Sequence, residues 1–208
     1  MCFFSRQSKK AVELENRFNA KIENQKFFES SNYINGFEFP KTSVIANGDT
    51  SLIKQFQWGL IPSWAKDDSI RKYTLNAKIE TLKEKPSFRN SVNKRCLIIA
   101  DGFYEWQWLD PKGKSKQQYL ITMPNEELFS FGGIWSEWTD KHTGEILNTY
   151  SVVTTEANEL MSKIHNSKKR MPLILTKEKE EDWLSSKPIN EFRKVDVELK
   201  ASKFSPNI

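Results

Sequence analysis

Cysteine and histidine are scarce in this chain, with two of each among 208 residues. Cys2 and Cys96 form no C-x-x-C pair, and His142 and His165 stand apart, so the sequence offers no convincing metal-binding set. The opening MCFFSRQSKK has no apolar run of the length that a signal peptide needs, and no later run approaches a membrane span. We therefore expect a cytoplasmic protein with free thiols, without membrane association, metal or cofactor.

Basic and acidic residues nearly balance each other in number. Lysine and arginine number 32 against 27 aspartates and glutamates, which gives a formal net charge of +5. This excess favours a polyanionic partner, but ordinary solubility charge explains it equally well. Hydrophobic residues make up 38% and aromatic residues 12%, which is typical of a globular chain. Since no internal repeat or low-complexity linker divides it, we expect one domain over residues 1–208, and a monomer.

Apolar periodicity and turn signals predict many strands and few helices. A helix is predicted over residues 5–28, and residues 8–28 are interpreted as a helical decoration of the domain. Shorter helices are predicted near Thr155 and after Thr176, which can act as an N-cap. The fold class is therefore α+β, a mainly antiparallel, barrel-like sheet with a few flanking helices. The strand-like runs are FEFPKTSVIA, IKQFQWGLI, RCLIIADGFYEWQW, QQYLITM, LFSFGGIWSEW, LNTYSVVTT and MPLILT, with hairpin loops at DPKGKS and TDKHTGE.

Cys2 is informative because of its position. Removal of the initiator methionine would leave a free α-amine and a thiol on adjacent carbons. The amine has a reference pKa of about 7.7–8, so part of it is neutral near pH 7 and can form a Schiff base with an aldehyde. The thiol can then close a five-membered thiazolidine ring, which no internal cysteine can do. The alternative is a cysteine that stands at position 2 by chance.

Glu105 lies in DGFYEW, at the end of a strongly apolar run. A two-residue period places Phe103 and Glu105 on one face of a strand and Tyr104 and Trp106 on the other. A carboxyl group among aromatic side chains has a raised pKa and can act as a general acid or base near neutral pH. The alternative is a strand-end carboxylate in a salt bridge or in water.

His165 and Asn76 are the other polar candidates. His165 lies between a predicted helix and a strand, where an imidazole can shuttle protons, although a structural histidine is the alternative. In an extended segment, Asn76 points the same way as Lys78 and Glu80, and its amide can orient a reactive group. A turn asparagine is the alternative there. His142, in a polar turn, is expected to be exposed.

Tryptophans offer stacking surfaces for nucleobases, but most tryptophans fill protein cores. Both interpretations stay open for Trp58, Trp64, Trp106 and Trp108. Cys96 lies inside the apolar run CLIIA, and we expect it to be a buried structural residue.

Five segments occur in a specific order: MC at the start, WGLIPSWAKD, LNAKIET, RCLIIADGFYEW and IHNSKKRMPLIL. In this combination the chain resembles the SRAP family, the SOS-response-associated peptidase proteins that process abasic sites in DNA. The resemblance runs from residue 2 to about residue 176. It implies a covalent trap for the ring-opened aldehyde of an abasic site in single-stranded DNA. It also implies removal of the N-terminal methionine, and strand incision or crosslink release.

The resemblance also implies roles for individual residues. The implied catalytic residues are Cys2 as the crosslinking residue, Asn76 as its orienting amide, Glu105 as the acid/base and His165 as the active-site histidine. The implied DNA contacts are Trp58 or Trp64 in an aromatic wall, Trp106 as a second stacking surface, and Lys78 and Arg170 at the phosphate backbone.

The chain departs from the family pattern at three places. Phe3 and Phe4 follow Cys2 where many members have glycine and arginine. Lysine replaces a frequent arginine at position 78, which keeps the charge but loses the bidentate fork. NSKK separates the histidine from Arg170, whereas many members place Arg-Met-Pro one residue after it.

Two other classes of function compete with a crosslinking enzyme. One is a cysteine protease that acts on protein substrates with a Cys2–His165 pair, which needs a thiolate but no free α-amine. The other is a non-catalytic module that binds single-stranded DNA through aromatic and basic residues alone. Denaturant would release DNA completely from such a module.

Overall fold

The computed structural model describes residues 2–194 and 197–205. The helices are α1 (Ala11–Phe18), α2 (Glu159–Ile164) and α3 (Lys177–Leu184). The strands are β1 (Phe4–Gln7), β2 (Lys21–Ile22), β3 (Ser31–Asn35), β4 (Lys41–Ala46), β5 (Asp49–Trp58), β6 (Asn76–Lys78), β7 (Arg95–Ala100), β8 (Gly102–Trp108), β9 (Lys116–Thr122), β10 (Phe129–Thr139), β11 (Ile146–Glu156), β12 (Arg170–Pro172), β13 (Ile174–Leu175) and β14 (Lys200–Phe204).

Five strands close into a barrel in the order β11, β10, β7, β4 and β5. Neighbours around this ring are antiparallel, except that β5 returns to β11 through the parallel pairs Gln57–Thr149 and Trp58–Tyr150. Closure leaves these five strands without a free edge between them. The predicted α+β fold with a mainly antiparallel, barrel-like sheet is confirmed.

A second, antiparallel sheet holds the amino-terminal strand in its interior, in the order β14, β9, β8, β1 and β3. Phe4 of β1 lies opposite Tyr104 of β8 on one side and opposite Asn35 of β3 on the other. One buried cluster contains Phe103 of this sheet and Phe131 of the barrel, so the two sheets pack against each other. Pairing on both sides prevents the fraying that is usual at a chain terminus.

Several local predictions agree with the structure and others do not. The hairpin loops are confirmed, with left-handed Gly113 (φ 65°) and Gly144 (φ 75°). The run RCLIIADGFYEWQW breaks at Asp101, and its halves β7 and β8 belong to different sheets. The second helix begins later than predicted, because β11 continues through Thr155 and the side chain of Asn158 caps α2 instead.

The first helix is shorter than the sequence predicts. Within residues 5–28 the α-helix covers only Ala11–Phe18, because Asn19 adopts a left-handed conformation (φ 50°) and the flanking segments pair as β1 and β2. A short 3-10 helix follows at Gln25–Phe27. The interpretation of residues 8–28 as a decoration stays a prediction; Leu14 of this helix is wholly buried in the core of the domain. Among the residues described, no helix is long and apolar enough to cross a membrane.

Replacing Leu14 with alanine tests whether α1 belongs to the core. We expect Leu14→Ala to lower the free energy of unfolding by about 2–4 kcal/mol, because it leaves a cavity at a fully buried site. Val12 lies on the same helix and is 55% exposed, so Val12→Ala should change stability by less than about 0.5 kcal/mol. Urea unfolding measures both, and equal values would contradict the core assignment.

Candidate active site

Cys2 is fully buried, and its backbone is held by an asparagine from another part of the chain. The side-chain amide Nδ2 of Asn76 donates a hydrogen bond to the carbonyl oxygen of Cys2 at 2.8 Å. Asn76 opens β6, which runs parallel to β11 with Val152 as its partner. The Cys2 thiol donates a weak bond to the carbonyl of Phe4 at 3.7 Å. The structure therefore brings two of the predicted site residues together.

Glu105 projects from β8 toward the same place and is 3% exposed. Burial raises the pKa of its carboxyl from 4.5 to about 7. Burial and then the neighbouring Glu105 carboxylate raise the pKa of the Cys2 thiol well above its usual range. The two-residue period of β8 is confirmed, because Phe103 contacts Phe131 on the core side while Tyr104 and Trp106 meet aromatic rings on the other. Glu105 can thus hold or release a proton near pH 7.

His165 ends α2 and is also buried. The ring nitrogen Nδ1 of His165 lies 2.8 Å from the carbonyl oxygen of Arg170 and 3.1 Å from the backbone nitrogen of Arg170. Burial lowers the pKa of the imidazole from 6.5 to about 4, so the ring is neutral at pH 7. The Arg170 backbone fixes the orientation of this neutral ring.

A small pocket of about 140 Å³ brings Glu105 and His165 together at the surface. Glu105 and His165 line it together with Phe3, Trp106 and Lys168. Sites for drug-sized ligands are about 300–1,000 Å³, so this pocket suits a group the size of a sugar. The arrangement combines a buried thiol, a carboxyl group poised near neutrality and a neutral imidazole.

The NSKK segment forms part of the pocket wall. The Asn166 side chain accepts a hydrogen bond from the backbone N–H of Trp108 at 3.0 Å and donates one to its carbonyl at 2.9 Å. These two bonds fix the segment against the end of β8. Ser167 and Lys168 consequently line the pocket.

Arg170 makes a bidentate ion pair with Glu80. Its Nη1 and Nη2 donate to the two carboxylate oxygens at 2.7 and 2.9 Å, and Nη2 also donates to the carbonyl of Thr154 at 2.7 Å. Lys78, the other residue predicted to contact phosphate, is exposed. The pairing satisfies much of the Arg170 guanidinium, whereas the Lys78 ammonium faces solvent.

The tryptophans divide between core and surface. Trp58 is 1% exposed, and its Nε1 donates to the carbonyl of Leu75 at 2.8 Å. The expectation that Trp58 contacts nucleobases is therefore wrong for this structure, because the ring is sealed in the core against Tyr150. Trp64 is 52% exposed, and its place in an aromatic wall beside DNA stays a prediction. Trp106 is half-buried at the pocket.

The remaining expectations concern residues outside this pocket. Both thiols are free, and Cys96 is buried as expected. His142 is exposed in its turn.

Asp101 is a buried residue that the sequence analysis did not single out. Its carboxylate accepts hydrogen bonds from the backbone N–H and hydroxyl of Ser8 at 2.9 and 2.6 Å and pairs with Nε of Arg6 at 3.1 Å. These contacts fasten the end of β1 to the junction of β7 and β8. The only signal in the sequence is an acidic residue between two apolar strands.

Replacing Glu105 with glutamine should make stability less dependent on pH. The folded-state pKa of Glu105 is raised, so its contribution is lost as pH rises from about 4.5 through about 7. The free energy of unfolding of Glu105→Gln should therefore rise relative to that of the wild type over this range. The expected rise is up to about 3 kcal/mol, at about 1.4 kcal/mol per pKa unit. Urea unfolding at pH 5 to 8 measures it. The exposed control Glu145→Gln should follow the wild type, and parallel curves for Glu105→Gln would refute the raised pKa.

Comparison with known proteins gives this geometry a family context. A family profile described as SOS response associated peptidase (SRAP) matches residues 1–205. The abasic site processing protein YoqW of Bacillus subtilis (strain 168) is 46% identical over 146 residues, which cover 70% of this chain and 62% of that protein. The abasic site processing protein HMCES of Gallus gallus is 34% identical over 163 residues, covering 67% and 47%. The chain thus matches less than two thirds of the length of either relative.

Solved structures share the fold. A protein from Bacteroides thetaiotaomicron superposes with a TM-score of 0.90 at 35% identity, covering 99% of this chain and 93% of that one. A protein from Bordetella bronchiseptica, at 21% identity and a TM-score of 0.79 over 98% and 100% of the two chains, shares the fold alone. Because the family profile matches almost every residue, the chain belongs to the SRAP family.

Proposed function

We propose that this protein senses abasic sites in single-stranded DNA and crosslinks to them covalently through Cys2, as part of the DNA damage response. The observation that carries the proposal is the burial of Cys2 beside the Glu105 carboxyl, with its carbonyl held by Asn76 at 2.8 Å. The names of the relatives, which describe abasic site processing, support the substrate class. The chemistry requires no metal or cofactor.

The reaction begins once Met1 has been removed, because only then does Cys2 carry a free α-amine. The amine nitrogen attacks C1′ of the ring-opened sugar, and the resulting carbinolamine loses its hydroxyl as water when Glu105 supplies a proton. The sulfur of Cys2 then adds to the iminium carbon, and the thiol proton returns to the Glu105 carboxylate. The product is a thiazolidine, and one water is released overall.

Glu105 and His165 also suit the reverse and side reactions. A carboxyl group with a pKa of about 7 can donate a proton in one direction and accept it in the other. His165 can move a proton at the opened sugar oxygen, which would assist crosslink release or strand incision. We also propose that the same residues remove Met1.

The electrostatics disfavour a cysteine protease acting on protein substrates. That mechanism needs a thiolate at Cys2 and an imidazolium at His165. Here the pKa of the thiol is raised and that of the imidazole is lowered to about 4, so both groups hold their neutral forms at pH 7. A neutral amine needs neither charge, which favours it as the first nucleophile.

Substituting Cys2 separates the amine from the thiol. The wild-type protein, mixed with an oligonucleotide that carries one abasic site, should give a heat-stable adduct on a denaturing gel. Its intact mass should equal protein without Met1 plus DNA less one water. Cys2→Ala keeps the amine but cannot close the ring, so it should give only an imine that borohydride traps and heat destroys.

Two results would contradict the crosslinking proposal. Complete reversal of the wild-type complex by denaturant, with Met1 confirmed absent, would favour a plain DNA-binding module. Acetylation of the α-amine should abolish the adduct. If acetylated protein instead cleaved protein substrates in a Cys2-dependent way, the protease alternative would be correct.

Replacing Lys78 tests the proposed phosphate contact. Lys78→Ala should weaken DNA binding most at low salt and reduce the slope of log affinity against log salt by about 0.7 to 1, because one counterion fewer is released. Fluorescence anisotropy across a salt series measures the slope. The control Lys26→Ala removes an exposed lysine from a separate groove and should leave the slope unchanged. A loss independent of salt would indicate a structural role for Lys78.

A further inference from the structure

An aromatic cluster continues outward from the pocket. We call Phe3, Phe4, Phe37 and Trp106 the aromatic rim. The Phe3 and Phe37 ring centroids are 4.8 Å apart with planes inclined by 31°, and Phe4 meets Phe37 at 6.0 Å and Trp106 at 4.9 Å. Phe3 and Trp106 both line the pocket. The rim therefore joins the pocket to Phe37, a residue that the crosslinking chemistry does not use.

Phe37 is the most exposed member of the rim. Its side chain is 52% exposed, although its ring is in contact with Phe3 and Phe4. An isolated exposed aromatic residue needs no explanation. Here, however, the exposed ring packs at a tilt against Phe3, which adjoins Cys2 in sequence and lines the pocket. The surface that Phe37 offers is therefore continuous with the candidate active site.

The turn that carries Phe37 is fixed to the backbone of Phe3. The N–H of Gly36 donates to the carbonyl of Phe3 at 2.8 Å, and the N–H of Phe37 donates to the Asn35 side chain at 3.1 Å. A Cβ on Gly36 would lie 3.0 Å from that carbonyl and 3.2 Å from the Trp58 ring, so glycine permits this close approach. The ring of Phe37 is thus held in position before any ligand binds, which reduces the entropic cost of binding.

A cation lies against Phe39, an aromatic residue that follows Phe37 in the chain. The Arg71 guanidinium lies 4.3 Å from the ring centroid of Phe39, two residues beyond Phe37. Arg71 also pairs with Asp68 at 2.9 Å, which holds it in place. Lys168 contributes a second cation at the pocket wall. Aromatic rings beside positive charges are what a nucleotide requires, since its base stacks and its phosphate is anionic.

We propose that Phe37, backed by Phe3, is a stacking platform for the nucleobase next to the abasic sugar. This inference rests on the proposed function. The pocket of about 140 Å³ suits a sugar that has lost its base, so the neighbouring base has to lie outside it. Phe37 offers that base an exposed aromatic face directly continuous with the pocket. A base stacked there is unpaired, so the platform favours a single strand on that side of the lesion.

The test compares strands that differ only in the neighbours of one abasic site. In one pair of strands the 5′ neighbour is either adenine or a base-free tetrahydrofuran residue, which carries no aldehyde. In a second pair the 3′ neighbour is varied in the same way. We expect wild-type crosslinking at limiting protein to be at least about fivefold faster with adenine on one of the two sides, from the usual strength of base–aromatic stacking. Phe37→Leu keeps apolar bulk but removes the aromatic face, so it should abolish that preference.

Two further variants serve as controls. Phe37→Trp should retain the preference for adenine, because indole stacks at least as well as phenyl. Phe27→Ala alters a phenylalanine that is 69% exposed in a separate groove, and it should behave as wild type. Thermal unfolding of each variant verifies that the fold is intact. If Phe37→Leu is unfolded, loss of the adenine preference in a folded Phe37→Trp would contradict the platform.

The outcomes separate this inference from the proposed function. Equal wild-type rates with adenine and with the base-free residue on both sides, with crosslinking intact, would overturn the platform alone. If the wild type crosslinks to no strand, the proposed function fails, and anisotropy with the same strands still tests stacking. A preference for adenine that Phe37→Leu leaves unchanged, together with an altered sedimentation coefficient, would identify Phe37 as a protein contact and overturn the inference.

Discussion

The site depends on one constraint, that the second residue of the chain is buried. Chain termini usually lack the contacts that would order them. Here β1 is an interior strand of the second sheet, and Asp101 fastens its end through Ser8 and Arg6. The Asn76 amide then holds the Cys2 carbonyl. Cys2, the proposed nucleophile, thereby gains the fixed geometry that active sites usually obtain from interior strands.

Two carboxyl groups four residues apart illustrate how surroundings decide a role. Asp101 and Glu105 are both buried, but they meet different partners. Asp101 accepts two hydrogen bonds from Ser8 and pairs with Arg6, and these contacts hold the end of β1 in place. Glu105 instead experiences mainly the loss of solvent, and its pKa rises to about 7. The first group suits a permanent anchor and the second suits proton transfer.

Local patterns predicted what depends on local physics. The alternation along β8 correctly separated Glu105 from Trp106, and the glycines in two hairpin loops correctly marked left-handed turns. The family resemblance singled out Asn76, although no local pattern in the sequence connects this residue to the amino terminus. The burial of Trp58, the short extent of α1 and the contact between Phe3 and Phe37 depend on chain segments that are distant in sequence. Tertiary packing overrides helical propensity in such cases.

Charge near β6 makes Arg170 and Lys78 unequal candidates for the proposed phosphate contact. Glu80 lies between them: Arg170 binds it through two hydrogen bonds, and Lys78 also favours its charged form. Two cations and one carboxylate leave one net positive charge. Because Arg170 is largely buried and already paired, a phosphate that approached it would compete with Glu80. Lys78 is exposed and can meet a phosphate without breaking that pair. The pair links β12, whose first residue orients His165, to the segment after Asn76, which makes Arg170 better suited to holding the site together than to attracting DNA.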